Sequence, residues 1–283
     1  MKLAYRPPYN WNRVLNYLQP RLITGVEHID ATSYYRTFCI ANSVGHFSIS
    51  HLDKENSLLL EIQMDKPLAI PEIIVRVQHQ FDLFANPKLI YSVFKDDSKL
   101  QSLIKNNPGV RVPGCWDGYE LSIRAIAGQQ VSVQAASTVT SRIAAEFGET
   151  VAINSELKYL FPSPEKLANA QPECFSMPRA RAQSIIDFSQ AIVDGKIAMD
   201  SVQSASLFID RIQKIKGIGP WTANYIAMRH LKYIDAFPQA DLGLLKALNL
   251  SGKNGKKHLL EYASHWKPFR SYATFLLWNS LAP

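Results

Sequence analysis

Cysteine is scarce in these 283 residues: only Cys39, Cys115 and Cys174 occur. Their odd number and wide spacing argue against a disulfide framework and for a reducing compartment. No CxxC pair is present, so neither a zinc site nor an iron–sulfur cluster can be built from cysteine alone. Long apolar runs are missing too, and no segment reads as a bilayer span. The opening MKLAYRPPYNWNRV has no apolar core and is broken by Pro7 and Pro8. It predicts no signal peptide and a cytoplasmic protein. Nucleotide-binding loops, metal motifs, internal repeats and low-complexity tracts are not evident. Acidic residues are outnumbered, 24 Asp+Glu against 31 Lys+Arg, giving a net charge of +7 and a pI near 9.2. That excess fits a polyanionic partner, although basic proteins without one are common. The 47% hydrophobic content is that of an ordinary globular chain, long enough for one large or two to three small domains.

What is present falls into two textures. The first third alternates short runs rich in aromatic, β-branched and aliphatic residues: Ser33–Ile40, Gly45–His51 and Ser57–Met64. Asn42-Ser43 and Asp53–Asn56 separate them, which predicts an antiparallel meander. Over Pro71–Phe84, Ile73, Ile74, Val77, Phe81 and Phe84 share one helical face able to cover that sheet. Asn86-Pro87 and Asn106–Gly109 are breaks. Beyond Gly114 the texture is helical. Asp117 is a good N-cap for a helix carrying Leu121, Ile123 and Ile126, interrupted at Gly128. A second helix starts near Val131 and stops at Gly148. Further helices fit Pro164–Ala170, Arg181–Val193, Ser204–Lys214, Trp221–Leu231, Leu242–Leu248, Lys256–Trp266 and Ser271–Leu281. The fold class is α+β: an N-terminal antiparallel sheet with helices, over residues 1–88, followed by an all-α body over 89–283.

Ile212–Arg229 (IQKIKGIGPWTANYIAMR) holds the strongest chemical signal. A helix ends at a Gly-Ile-Gly turn, and Pro220 sits where proline prefers to open the next helix. Gly217 and Gly219 can take backbone angles closed to other residues and let the main chain approach another surface. Unpaired N–H groups and the helix dipole make that helix start a place for a phosphate. Lys214, Lys216 and Lys232 lie close in sequence. The same pattern also serves as a tight helix–helix connection with no ligand. Further on, in IDAFPQADLGLLKAL, Asp241 precedes an apolar helical run. Asp241 is either a plain N-cap or also a carboxylate that stabilises developing positive charge. Glycosidic cleavage develops that charge on the sugar.

The hairpin KIKGIGPWTANYIAMR, followed by DAFPQADLGLLKAL, resembles the signature of the helix-hairpin-helix DNA glycosylases. RVPGCWDGYELSIRAIAGQQVSVQAAS (Arg111–Ser137) resembles the preceding helix pair of that superfamily. PPYNW near the start, FDLFANP at 81–87 and HWKPFRSYATFLLW at 265–278 are similar to its alkylation-repair, 3-methyladenine branch. The resemblance runs through essentially the whole chain in order. It implies a TATA-binding-protein-like N-terminal sheet domain and two helical subdomains, about 116–233 and 89–115 plus 234–283, with the hairpin at about 204–231. It implies Asp241 as the catalytic carboxylate and Trp221, Tyr225 and Trp278 as aromatic lining of a base pocket. Gly217, Gly219, Lys214, Lys216 and Gln130 would meet DNA, Gln130 standing where relatives place an apolar wedge. No cofactor is required, but carbonyls of Gln213, Ile215 and Ile218 would hold a monovalent cation, Na+ or K+. The partner would be double-stranded DNA containing a damaged base, met by a monomer. Members that also nick DNA carry a lysine nucleophile where this chain has Trp221, so hydrolysis without strand cleavage is expected. A same-fold glycosylase for oxidised or deaminated bases, and a non-catalytic DNA-binding module, are the alternatives.

Overall fold

The computed structural model describes every residue except Leu68, Ala152, Ser201, Val202, Ala240, Ser251, Lys253, Ala282 and Pro283. The N-terminal third contains β1 (Lys2–Ala4), α1 (Trp11–Leu18), β2 (Glu27–Ile29), β3 (Ser33–Ile40), β4 (Ser43–Leu52), β5 (Ser57–Met64) and α2 (Ile70–Gln80). The strands form one antiparallel sheet in the order β1-β5-β4-β3-β2. The three predicted runs are its central strands. The two edges, each three residues long, are too short to show an alternating pattern. Alternation turns Tyr34, Phe38, Phe47, Ile49, Leu58 and Leu60 to one face. There they bury against Trp11, Val14 and Leu15 of α1 and Ile73 and Val77 of α2.

The α2 helix ends four residues before the expected Phe84, which is 67% exposed. The cause lies at Asp82, whose φ of +55° turns the chain and sends its carboxylate inward. That carboxylate accepts from Val112 N at 3.1 Å and pairs with Lys232 at 2.7 Å. The Tyr272 hydroxyl also donates to it. Lys232 is therefore committed to a buried ion pair and does not join the lysines at the hairpin.

The helical body comprises α3 (Pro87–Val93), α4 (Ser98–Asn106), α5 (Gly118–Ala127), α6 (Val133–Phe147), α7 (Pro164–Ala168), α8 (Arg179–Val193), α9 (Ala205–Ile212), α10 (Pro220–His230), α11 (Leu242–Ala247), α12 (Gly255–Ala263) and α13 (Arg270–Asn279). Two apolar cores divide it. One gathers Leu121, Ile123 and Ile126 of α5 with Ile185 and Phe188 of α8, Phe208 of α9 and Ile226 of α10. The other joins Phe94 and Leu100 to Leu244, Leu259, Trp266 and Phe275. Asp117 caps α5 through Glu120 N, and Ser132 caps α6 through Ala135 N. All three cysteines are free thiols. Among the described residues no helix is long and apolar enough to cross a membrane.

A buried charge cluster joins the sheet to the body. Arg36 of β3 and Arg124 of α5 each bridge two carboxylates, Glu27 of β2 and Glu120 of α5. Burial disfavours the charge on Glu27, but Arg124 and Arg36 outweigh it and hold its carboxyl at about 2. The cluster forms one wall of a cleft of about 1060 Å³ that opens between the two cores.

Candidate active site

The other wall of this cleft comes from α10, α11 and α13. On α10, Trp221, Tyr225 and Arg229 fall four residues apart and form one stripe. The rings of Trp221 and Tyr225 stack at 5.2 Å with planes 9° apart, and Trp278 of α13 lies 6.4 Å from Tyr225. All three aromatic residues line the cleft with Asp241.

Asp241 starts α11 as its N-cap, accepting from Leu244 N through Oδ1 at 2.8 Å. Both indoles also donate to it, Trp278 to Oδ1 at 2.9 Å and Trp221 to Oδ2 at 2.9 Å. Capping and a place in the cleft wall thus coincide at one residue. The indole N–H groups hold the carboxylate plane, while the indole faces shape the space beside it. That second duty of the tryptophans has no signature in the sequence, because 37 residues separate Trp278 from Asp241.

At the hairpin, Gly217 has φ +93° and packs so closely on Ser184 that a Cβ would collide with its hydroxyl. This glycine is required by the fold. Gly219 differs from expectation: its φ is −87°, an angle open to any residue, and a Cβ there would meet nothing within 4 Å. Nothing in the described residues demands a glycine at 219, so any demand comes from outside the protein. Pro220 opens α10. Lys214 and Lys216 are exposed beside the turn. The carbonyls of Gln213 and Ile218 accept no hydrogen bond from the described residues, and that of Ile215 accepts one, from Ile218 N at 3.0 Å. Backbone oxygens with free lone pairs fit the donor set of a monovalent cation.

Gln130 lies exposed in the bend between α5 and α6 with φ +58°. Its neighbour Gln129 ties that bend to the hairpin, donating from Nε2 to Gly217 O at 2.7 Å and to Thr222 Oγ1 at 3.2 Å. Gln129 at the hairpin and two residues of the cleft, Tyr17 and Arg229, were not singled out from sequence. Arg229 could have been found by extending the Trp221–Tyr225 stripe by four residues. Tyr17 carries no such signal, since it reaches the cleft from 208 residues away. Among the described residues no lysine lines the cleft.

The sheet domain thus packs on a helical body whose Gly-rich hairpin leads into the helix that carries Trp221 and Tyr225 to the cleft, beside the capped Asp241. Residues 1–117 match the family described as AlkA N-terminal domain. Residues 123–268 match the HhH-GPD superfamily base excision DNA repair proteins. The chain is 31% identical to DNA-3-methyladenine glycosylase 2 of Escherichia coli, over 98% of this chain and 95% of that protein. It is 31% identical to DNA-3-methyladenine glycosylase of Bacillus subtilis, over 74% of this chain and 72% of that one. In fold it is similar to a solved 3-methyladenine DNA glycosylase of Archaeoglobus fulgidus, with a TM-score of 0.84 at 20% identity and full coverage of both chains. The chain belongs to the HhH-GPD superfamily of base excision DNA repair proteins.

Proposed function

We propose that the protein removes alkylated purines of the 3-methyladenine and 7-methylguanine type from double-stranded DNA. It does so as a cytoplasmic monomer, by hydrolysing the N-glycosidic bond. One observation carries this reading: Asp241 is held by Trp221, Trp278 and its own helix start in the wall of an aromatic cleft. The hairpin, through Gly219 and the helix start, binds the phosphate backbone, with Lys214 and Lys216 adding attraction. Flipping out the damaged nucleotide costs a few kcal/mol, least where pairing is already weakened. Gln130, at the exposed bend, fills the gap left in the duplex and can hydrogen-bond the widowed base.

A purine alkylated at N3 or N7 is a cation and already a good leaving group. The stacked Trp221–Tyr225 pair and Trp278 offer electron-rich faces, each worth about 0.5–2 kcal/mol toward a cation. As the bond to the sugar breaks, positive charge develops on the ring, and the Asp241 carboxylate stabilises it and orients the attacking water. A cation held by the carbonyls of Gln213, Ile215 and Ile218 would add fixed positive charge where the hairpin meets phosphate.

The reaction ends at an intact strand with an abasic site. Trp221 has no amine with which to attack the sugar, and among the described residues no lysine lines the cleft in its place. A purely DNA-binding module would have no use for a carboxylate fixed by two indoles. The test is a panel of duplexes, each with one lesion, assayed for free base. Release of methylated purines above oxidised bases is expected; release of oxidised bases alone would reassign the substrate.

A further inference from the structure

The bend between α5 and α6 has little of its own to hold it in place. Gly128 closes α5 by donating to Arg124 O at 2.9 Å, and Ser132 opens α6 by accepting from Ala135 N at 3.2 Å. Between them Gln130 and Val131 are exposed, and their backbone groups meet no hydrogen-bond partner among the described residues. Gln130 also has a φ of +58°, a left-handed angle that a residue with a side chain keeps only where its surroundings impose it.

Gln129 supplies that constraint. Its Nε2 donates to Gly217 O at 2.7 Å and to Thr222 Oγ1 at 3.2 Å. A carbonyl can only accept, so the amide nitrogen of Gln129 must be the atom that faces the hairpin. Both anchor points are fixed. Gly217 packs on Ser184, and Thr222 is buried in the first turn of α10. In the chain they flank Gly219 and Pro220, the start of that helix. No other hydrogen bond among the described residues joins 128–131 to 213–222.

The hairpin does not need Gln129 in return. Its turn is closed by Ile218 N donating to Ile215 O at 3.0 Å and by the contact of Gly217 with Ser184. The dependence runs one way, from hairpin to bend. A duplex gripped at its phosphates presents the vacated base position at a set distance from the grip. The side chain that fills that position has to arrive there, so the spacing between bend and hairpin matters.

We propose that Gln129 is a positioning residue for base flipping, setting the spacing between the phosphate grip at Gly219 and the gap-filling side chain of Gln130. This rests on the reading of the hairpin as the phosphate site and of Gln130 as the gap filler. The experiment follows Gln129→Met, which keeps the length but has no N–H, on duplexes carrying one 7-methylguanine. With enzyme in excess, the single-turnover rate of base release should fall about tenfold, the scale of one hydrogen bond left unmade. A 2-aminopurine beside the lesion, which brightens as its neighbour leaves the stack, should show a matching loss of flipping. Affinity for undamaged duplex should stay within about twofold, because the hairpin that holds the phosphates is intact. Gln129→Glu keeps the shape but offers only acceptors, so it should lose at least as much release. In a Gln130→Ala background, Gln129→Met should cost less than about twofold, as expected when one residue acts through the other. Unchanged release in either Gln129 variant, or an equal loss in the Gln130→Ala background, overturns the role of Gln129 and leaves the gap-filling reading standing. Undamaged binding that falls in step with release places the defect in the hairpin and overturns it too. Wild-type release by Gln130→Ala alone overturns the gap-filling reading and this proposal together.

Discussion

Replacing Glu120 by Gln should loosen the joint between the sheet and the helical body. Glu120 is 4% exposed and receives Arg36 through Nη1 and Nη2 and Arg124 through Nε and Nη2 at 2.9 and 2.7 Å. Two guanidiniums and two carboxylates now balance. The Gln variant leaves two cations facing Glu27 alone. Breaking a buried pair in this way typically costs about 3–5 kcal/mol, because the remaining charge is buried without compensation. At about 2–4 °C per kcal/mol for a chain of this size, Tm should drop by roughly 6–20 °C. Adding Arg36→Gln restores the balance, so the double variant should be less destabilised than the sum of the singles.

The same cluster sets a dependence on pH. The folded Glu27 carboxyl is held at about 2, below its unfolded value near 4.5, so its contribution is complete above that unfolded value. It is lost as pH falls from there toward 2. Thermal melts of Glu120→Gln at neutral pH, with a wild-type series between pH 3 and 6, check both. A Tm within about 2 °C of wild type, or additive single variants, would refute the argument.

Three other expectations concern the hairpin. Gly219→Leu should fold normally, since its φ and surroundings admit a side chain. It should bind damaged and undamaged duplex more weakly alike, because phosphate contacts carry no sequence information; fluorescence anisotropy across a salt series reads both. Gly217→Leu should instead lower Tm, given its φ of +93° and its contact with Ser184, and a normal melt would refute the packing argument. Borohydride added during turnover should trap no covalent protein–DNA complex with wild type, and Trp221→Lys should gain trapping; efficient wild-type trapping would contradict hydrolysis by water.

Much of this was written locally. The strands from Ser33 to Met64 show themselves by composition and by the turns between them. Asp117 and Asp241 announce helix starts because capping is a contact over three residues. What stayed hidden depends on contacts distant in sequence. Lys232 looks like a hairpin lysine until Asp82, 150 positions earlier, is found to claim it. Gly217 and Gly219 read alike as letters, yet one is fixed by Ser184 and the other by nothing within 4 Å among the described residues. The helices α1, α3 and α4 were not expected, although Trp11, Val14, Leu15 and Leu18 fall on one buried face of α1. The tryptophans read as flat apolar faces, and their N–H bonds to Asp241 emerge only when α10, α11 and α13 converge.

The central claim is that the Asp241 carboxylate carries the chemistry, and Asp241→Asn tests it most directly. The amide oxygen can still cap α11 through Leu244 N, so the helix and the DNA-binding surface are retained while the charge is removed. Single-turnover release of 3-methyladenine from a duplex should fall by at least about a hundredfold, the scale of one lost electrostatic stabiliser of a transition state. Affinity for the same duplex should stay within a few-fold of wild type. Release within about threefold of wild type, with binding intact, would contradict the catalytic assignment of Asp241.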